Sequence, residues 1–304
     1  MLNSKIPHVE ILLLNWENAE DTIHCLETLK SLAYGSYHVL VVDNGSKDNS
    51  YSLLKETVSH EPYFTLYSTG ENLGFSGGVN YGIKKALQSE ADYIWLLNND
   101  TEVASDCLSQ LILAIDDDPE VGIAGSKILL ASDRNTIWHA GASFDKWTGQ
   151  PKHVGMGYST TQEGYNELKS VDYITGCSLL IRSSMLKTVG LMDEKFYLYY
   201  EEADFCYRAK KKGWKIIYVP DSILWHKVAG SSKGYHQRAY YEVRNRLLFT
   251  LKHRPIFILP VLCYLLYKEV ILKLAKGENQ VFCASYLGMI DFIRGKYGRA
   301  SHQF

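Results

Sequence analysis

The sequence predicts an α/β fold: a Rossmann-like, mostly parallel sheet flanked by helices, with a helical C-terminal extension. Three observations predict it. Short apolar runs alternate with segments of helical periodicity, the pattern of strand–helix–strand units. Polar residues with chemical potential fall where those runs end, the edge at which open parallel sheets bind ligands. After residue 240 the alternation stops and a strongly apolar stretch, RPIFILPVLCYLLY at 254–267, takes over. With 304 residues, 46% of them hydrophobic, the chain can bury one large domain plus an appendage.

The elements follow in order. VEILLL (9–14) and HVLVVD (38–43) read as buried strands. Between them Ile23, Leu26, Leu29 and Leu32 recur at three-residue spacing, one face of a helix. Asn18, Glu20 and Asp21 suit its start, where side-chain oxygens meet free N–H groups. YFTLYS (63–68), DYIWLL (92–97), VGIAGSKILL (121–130) and GCSLLIR (176–182) are further strands. SGGVNYGIKKALQS and ASDCLSQLILAIDD repeat the helical pattern. From 131 to 175 the pattern is irregular and reads as an excursion around a site.

Composition excludes several classes. The formal net charge of -2 gives no global basic field for nucleic acid. The six cysteines are scattered without a Cys-x-x-Cys pair, which argues against a zinc site or disulfide scaffold and fits a reducing cytoplasm. No secretory leader is expected from the first residues, so the sequons at Asn44 and Asn99 carry little weight. The apolar stretch 254–267 falls short of the roughly 20 residues that span a bilayer. It reads either as a buried or homodimer-forming helix or as a helix lying in the membrane interface, with Lys252, His253, Arg254, Lys268, Lys273 and Lys276 near headgroups.

Five constellations carry chemistry. Asp43 ends a strand in VVDNGSKDNS; it serves a turn, or accepts the imide N–H of a uracil or thymine ring. GENLGFSGGVNYGI places Gly74, Gly77, Gly78 and Gly82 where a loop enters a helix, so that backbone N–H groups can approach phosphates. It lacks the Gly-Lys-Ser/Thr of a Walker loop, and no glycine follows the first strand, which argues against a dinucleotide enzyme. Asn98 and Asp100, in YIWLLNNDTEV, are a turn or a site for a divalent cation on phosphates. Glu201, Glu202 and Asp204 open a helix among Tyr197, Tyr199, Tyr200 and Phe205, surroundings that raise a carboxylate's pKa. Asp204, Arg208 and Lys212 at i, i+4, i+8 are expected to make surface pairs. His226 ends another apolar run and is either structural or an imidazole ligand.

Read in order, LLNW, VVDNGSKD, ENLGFSGGVNYGI, LLNND, GCSLLIR, FYLYYEEADFCYRAKKKGW, LWH and YYEVRNRLLF resemble the family 2 inverting glycosyltransferases of GT-A fold, over residues 8 to 250. They are closest to the rhamnosyltransferase-like branch that builds bacterial surface polysaccharide. The resemblance implies a GT-A domain over 1–240, its nucleotide-binding half about 1–130 and its acceptor half about 131–240, and an extension over 241–304. It implies base recognition by Asp43 with Asn15 nearby. Asn72, Gly74 and Asn80 would lie around the diphosphate and sugar, with Asn98 and Asn99 also toward the donor. Asn98 and Asp100 occupy the ends of the family's Asp-x-Asp motif, and His226 resembles a third ligand to Mg2+ or Mn2+. Glu202 is the expected base, with Glu201 the rival assignment; Glu201 and Asp204 would orient it or the acceptor. Arg244 and Asn245 are expected near donor phosphates or acceptor. Asn98 in place of Asp removes a negative charge, so nucleotide becomes more necessary for cation binding.

The implied partners are a nucleotide-sugar donor, dTDP-rhamnose before a UDP-sugar, and a saccharide or polyprenyl-linked acceptor at the cytoplasmic face of a membrane. A nucleotidyltransferase on a similar scaffold and a non-catalytic sugar-binding protein are the rival readings.

Overall fold

The computed structural model describes residues 6–145, 147, 150–228 and 235–302. The first half alternates as expected: β1 (Val9–Asn15), α1 (Ala19–Leu29), β2 (Tyr37–Asp43), α2 (Ser50–Ser59), β3 (Phe64–Ser68), α3 (Gly74–Ala86) and β4 (Tyr93–Asn98). β5 (Thr101–Val103), α4 (Cys107–Asp116) and β6 (Val121–Leu130) follow. The 131–175 excursion is more regular than its sequence suggests, holding β7 (Asp133–His139), β8 (Ala142–Phe144), β9 (Pro151–His153) and β10 (Lys169–Ser170). Then come β11 (Ser178–Arg182), α5 (Ser183–Val189), α6 (Glu201–Lys211) and β12 (Lys215–His226).

The main sheet runs β10-β12-β6-β11-β4-β1-β2-β3, with β5 paired to β12 and β7 to β6. β3, β2, β1 and β4 are parallel, as are β6 and β12; β11 runs antiparallel between β4 and β6. Alternate side chains feed two cores. Leu12, Leu40, Ile94 and Leu96 meet Val79 and Ile83 of α3 on one face. Ile11, Leu13, Val41, Trp95 and Leu97 meet Leu26 and Leu29 of α1 on the other. Burial on both faces explains why these strands read as continuous apolar runs.

Two local expectations change. Asn18 precedes α1, but its amide donates to the Asp21 carboxylate (2.8 Å) instead of capping the backbone. In α3, glycine serves packing: a Cβ on Gly82 would lie 2.2 Å from Leu12 Cδ1 of β1. The phosphate-loop reading therefore does not extend to that end of the run.

The C-terminal helices are α7 (Tyr235–His253), α8 (Ile258–Leu265), α9 (Leu272–Ala275) and α10 (Asn279–Ile293). Val243, Leu247, Val261, Leu265, Val270 and Met289 form their own small core. Helical structure continues across Lys268 and Glu269, so the apolar run spans Pro255–Ala275, 21 residues of mean hydropathy 1.8 with 17% of its most apolar window buried. It is longer than the sequence suggested, long enough by length and composition to cross a bilayer, and it is not a buried helix. Ile256 (83% exposed) and Leu259 (68% exposed) point into solvent.

Candidate active site

Strand register builds the site. Asn15 of β1 pairs with Asp43 of β2, and Leu14 pairs with Asn98 of β4, so the three polar residues end adjacent strands in one row. Asp43 is buried and held in place. It accepts from Asn15 Nδ2 (3.0 Å), Ser46 Oγ (2.6 Å) and Ser46 N–H (3.1 Å). Asn15 Oδ1 accepts from Thr22 Oγ1 (2.8 Å), and Thr22 Oγ1 accepts from Asn99 Nδ2 (2.8 Å). One chain of hydrogen bonds thus links the ends of β2, β1 and β4 through α1.

The next loop is fixed by Asn44, which sequence reasoning passed over as a turn residue. Its amide donates to Gly74 O (3.0 Å), and its Oδ1 accepts from Leu73 N (3.1 Å). Asn72 Oδ1 accepts from Gly74 N (2.8 Å) and Tyr197 Oη (3.2 Å). Gly74 has φ +73 and a Cβ there would lie 2.4 Å from the Tyr197 ring, so only glycine fits. Trp16, Asn72, Gly74, Phe75, Asn98, Asn99, Asp100, Tyr197, Leu198 and Gln237 line one cavity of about 270 Å3 outside the carboxyl ends of β1 and β4. Trp16, Leu198 and Gln237 were given no role from sequence. Asn80 does not reach this cavity: its amide bonds both backbone groups of Met192 (2.9 and 3.0 Å) and Glu194 (2.9 Å).

Asp100 follows β4 in the turn to β5, and His226 ends β12, which pairs with β5. Asp100 Oδ1 and His226 Nε2 lie 3.1 Å apart. They are not aligned for a hydrogen bond, and Asp100 Oδ1 is buried without a hydrogen-bond partner among the described residues. A carboxylate and an imidazole converging without bonding each other fit a shared divalent cation. No group of three or more His, Cys, Asp or Glu placed to hold a metal ion by themselves exists among the described residues. Such a site suits Mg2+ or Mn2+ with phosphate oxygens and water completing the shell.

The acid pair opens α6. Tyr197, Tyr199 and Tyr200 before it have φ of +64, +66 and +75. Left-handed backbone costs roughly 1–2 kcal/mol per non-glycine residue, so this loop must be held. Asn245 and Arg244 of α7 hold it. Asn245 Nδ2 donates to the carbonyls of Phe196, Leu198 and Tyr199 (each 2.8 Å), and Arg244 Nη2 to Phe196 O (3.1 Å). At about 1 kcal/mol net each, these bonds are of the size of the strain. The expectation that Arg244 and Asn245 contact donor phosphates or acceptor therefore gives way: both are buried and spent on the loop backbone.

Burial pushes the Glu201 carboxyl well above the ordinary range, helped by the neighbouring Glu202 charge. Burial also raises Glu202, but the Tyr173 hydroxyl (3.1 Å) and the Gly176 N–H favour its charged form. Gly176 packs against Phe75 of the cavity, a Cβ on it meeting the ring at 3.1 Å, so Glu202 stands one layer from the cavity. Asp204 has a different setting. Its oxygens meet Arg208, His253 and Lys252 (each 2.7 Å) in full burial, not at the surface. Burial works to raise it, yet His253, Arg208 and Lys252 hold it down at about 2.

The profile of the family described as Glycosyl transferase family 2 matches residues 15–189. A low-salt glycan biosynthesis hexosyltransferase of Haloferax volcanii is 28% identical over 246 residues, 79% of this chain and 74% of that one. A dTDP-rhamnosyl transferase of Shigella flexneri is 25% identical over 273 residues, 86% of this chain and 88% of that one. A mannosyltransferase of Pyrobaculum calidifontis, solved with GDP-Man and Mn2+, superposes with TM-score 0.60 at 15% identity, covering 99% of this chain and 77% of that one. The fold is thereby GT-A.

Proposed function

The chain belongs to glycosyl transferase family 2, and we propose that it is an inverting, metal-dependent hexosyltransferase that moves rhamnose from dTDP-rhamnose, or next a sugar from a UDP donor, to a saccharide or lipid-linked saccharide in cell-surface polysaccharide synthesis. The observation that carries it is the common edge: Asn72, Gly74 and Asp100 line one cavity, with Asp43 buried at the adjoining end of β2 and Glu202 a layer behind. The rhamnosyl relative favours the deoxythymidine donor.

In this reading Asp43, fixed by Asn15 and Ser46, accepts the imide N–H of the base. Trp16, half exposed at the cavity mouth, covers it. Asn72 presents its amide N–H groups to the diphosphate and sugar, and Gly74 shapes the loop that holds it there. Asp100 and His226, with Asn98 as a neutral neighbour, would hold Mg2+ or Mn2+. Bound there, the cation supplies charge neutralisation to the leaving diphosphate. Glu202 takes the proton of the acceptor hydroxyl as that oxygen attacks the anomeric carbon from the face opposite the diphosphate. A single displacement inverts configuration, and positioning supplies much of the rate. Glu201 stays protonated, which spares the pair from burying two adjacent charges. The exposed apolar run Pro255–Ala275 rests at the cytoplasmic membrane surface.

Nucleotide binding tests this directly. dTDP should raise the melting temperature with Mn2+ and lose most of the effect with chelator. Asp100→Ala should abolish the Mn2+-dependent part, weakening dTDP by at least the roughly 10–100-fold that loss of an outer-shell partner alone costs a metal site. Unchanged affinity in that variant with Mn2+ present would remove Asp100 from the metal site.

A further inference from the structure

A second cavity, of about 550 Å3, lies between β7–β9 and the C-terminal helices. Its inner wall includes His153 and Tyr200, and its outer wall Leu265 and Lys268. Consecutive residues of α7 divide the work around it. Arg244 and Asn245 face the strained loop, whereas Arg246, 4% exposed, faces this cavity. Nε and Nη2 of Arg246 are buried with no hydrogen-bond partner among the described residues. The other cations lining the cavity have carboxylates: Arg238 pairs with Glu242 at 2.8 Å and Lys268 with Glu269 at 3.3 Å. Among the described residues the Arg246 guanidinium lies 5.1 Å from the Tyr264 ring, and Lys268 sits 5.7 Å from that same ring. A buried guanidinium without an anion is costly, and its fork matches phosphate oxygens.

The surroundings say what carries that phosphate. Inward, His153 packs on Tyr173, which bonds Glu202, and Tyr200 adjoins Glu201. Outward, Leu265 and Lys268 belong to the exposed apolar run. A molecule with a sugar at one end, a lipid at the other and an anion between them matches this order. We propose that this cavity binds the diphosphate of a polyprenyl-diphosphate-linked acceptor on Arg246 and Lys268, aiming its sugar at Glu202 and its chain along Pro255–Ala275. The proposal rests on the transferase reading and names the acceptor's anionic subsite.

The test uses the full chain with EDTA, which keeps a diphosphate probe from binding through a cation at the donor site, following tryptophan fluorescence, since Trp138 also lines the cavity. Farnesyl diphosphate is the probe, with farnesol, inorganic pyrophosphate and phosphatidylglycerol vesicles as comparisons. Farnesyl diphosphate should bind at least ten-fold more tightly than farnesol or pyrophosphate. Arg246→Gln should remove that advantage, Arg246→Lys should restore part, and Lys268→Gln at the rim should weaken binding about three-fold. Melting curves and Mn2+-dependent dTDP binding check each variant's fold and donor site. Unchanged farnesyl diphosphate affinity in folded Arg246→Gln overturns the proposal; if that variant does not fold, unchanged affinity in Lys268→Gln does. Displacement by phosphatidylglycerol at equal phosphate would give the cavity to bulk headgroups and overturn it too. Arg246-dependent binding without any nucleotide binding would sink the transferase reading and leave the subsite standing.

Discussion

The two sides of the cleft are built on opposite principles. On the donor side, Asp43, Asn15, Thr22, Asn99, Asn44 and Asn72 bond one another across the ends of β1, β2 and β4. On the other side, Glu201 Oε2 and Glu202 Oε2 are buried without hydrogen-bond partners among the described residues, and three left-handed tyrosines precede them. The donor side is a template whose groups are pre-paired and rigid. The acid side holds strain and poorly solvated carboxyls, features found where proton transfer has to occur near neutral pH. In the proposed reading the contrast distributes binding and chemistry to different elements: strand ends would bind, and the residues after a clamped loop at the start of α6 would react.

The sharpest way to break the comparison is to neutralise the acid side alone. Glu202→Gln keeps shape and removes the proton acceptor, so transfer should fall by about 10²–10⁴, the range of general base catalysis. dTDP affinity should stay within two-fold, measured by calorimetry, because the donor network is untouched. Near-normal turnover would move the base to Glu201.

A smaller effect is expected at the clamp. Asn245→Ala removes the amide that bonds three carbonyls of the strained loop. It should cost about 2–3 kcal/mol in denaturant unfolding, from unsatisfied carbonyls in a buried site. The melting temperature should fall in apo protein, and kcat should fall with little change in donor KM. A loss of donor affinity as large as the loss of kcat would mean the loop serves the donor side as well.

The two sides differ as much in legibility as in build. Asn15, Asp43, Asn98 and Asp100 are visible in sequence because each ends an apolar run, and parallel register then aligns them. The ordered motifs likewise carried the GT-A fold. The clamp is not visible. The carbonyls of 196–199 and Asn245 are some 46 to 49 positions apart, and a backbone carbonyl leaves no signature in sequence. Asp204 and Arg208 were legible as a helical pair, but their spacing says nothing of burial, and the cations of α7 make Asp204 an anchor between helices. Arg246 was given no role from sequence. Gly82 looked like part of a phosphate loop because the need for a close helix–strand approach is a property of Leu12 across the interface.

The finest test separates the two carboxyls from each other. Glu201 is raised above Glu202's setting by burial first and by Glu202's charge second, with no donor from another residue to favour its ionised form. For an acid whose folded pKa is raised, the unfolded chain releases the proton first as pH climbs past the ordinary glutamate value. The folded state then holds more protons than the unfolded one, so stability falls with pH from about 4.5 up to the raised pKa. Glu201→Gln removes that penalty. It should leave melting temperature at pH 4 nearly unchanged and raise it at pH 7. Protonated Glu201 is already a neutral neighbour of Glu202, so the substitution should leave the acid limb of the transfer rate where it is. An acid limb that moves to lower pH with the stabilised fold would mean that Glu201 is ionised beside Glu202 and that the two carboxyls share the catalytic titration.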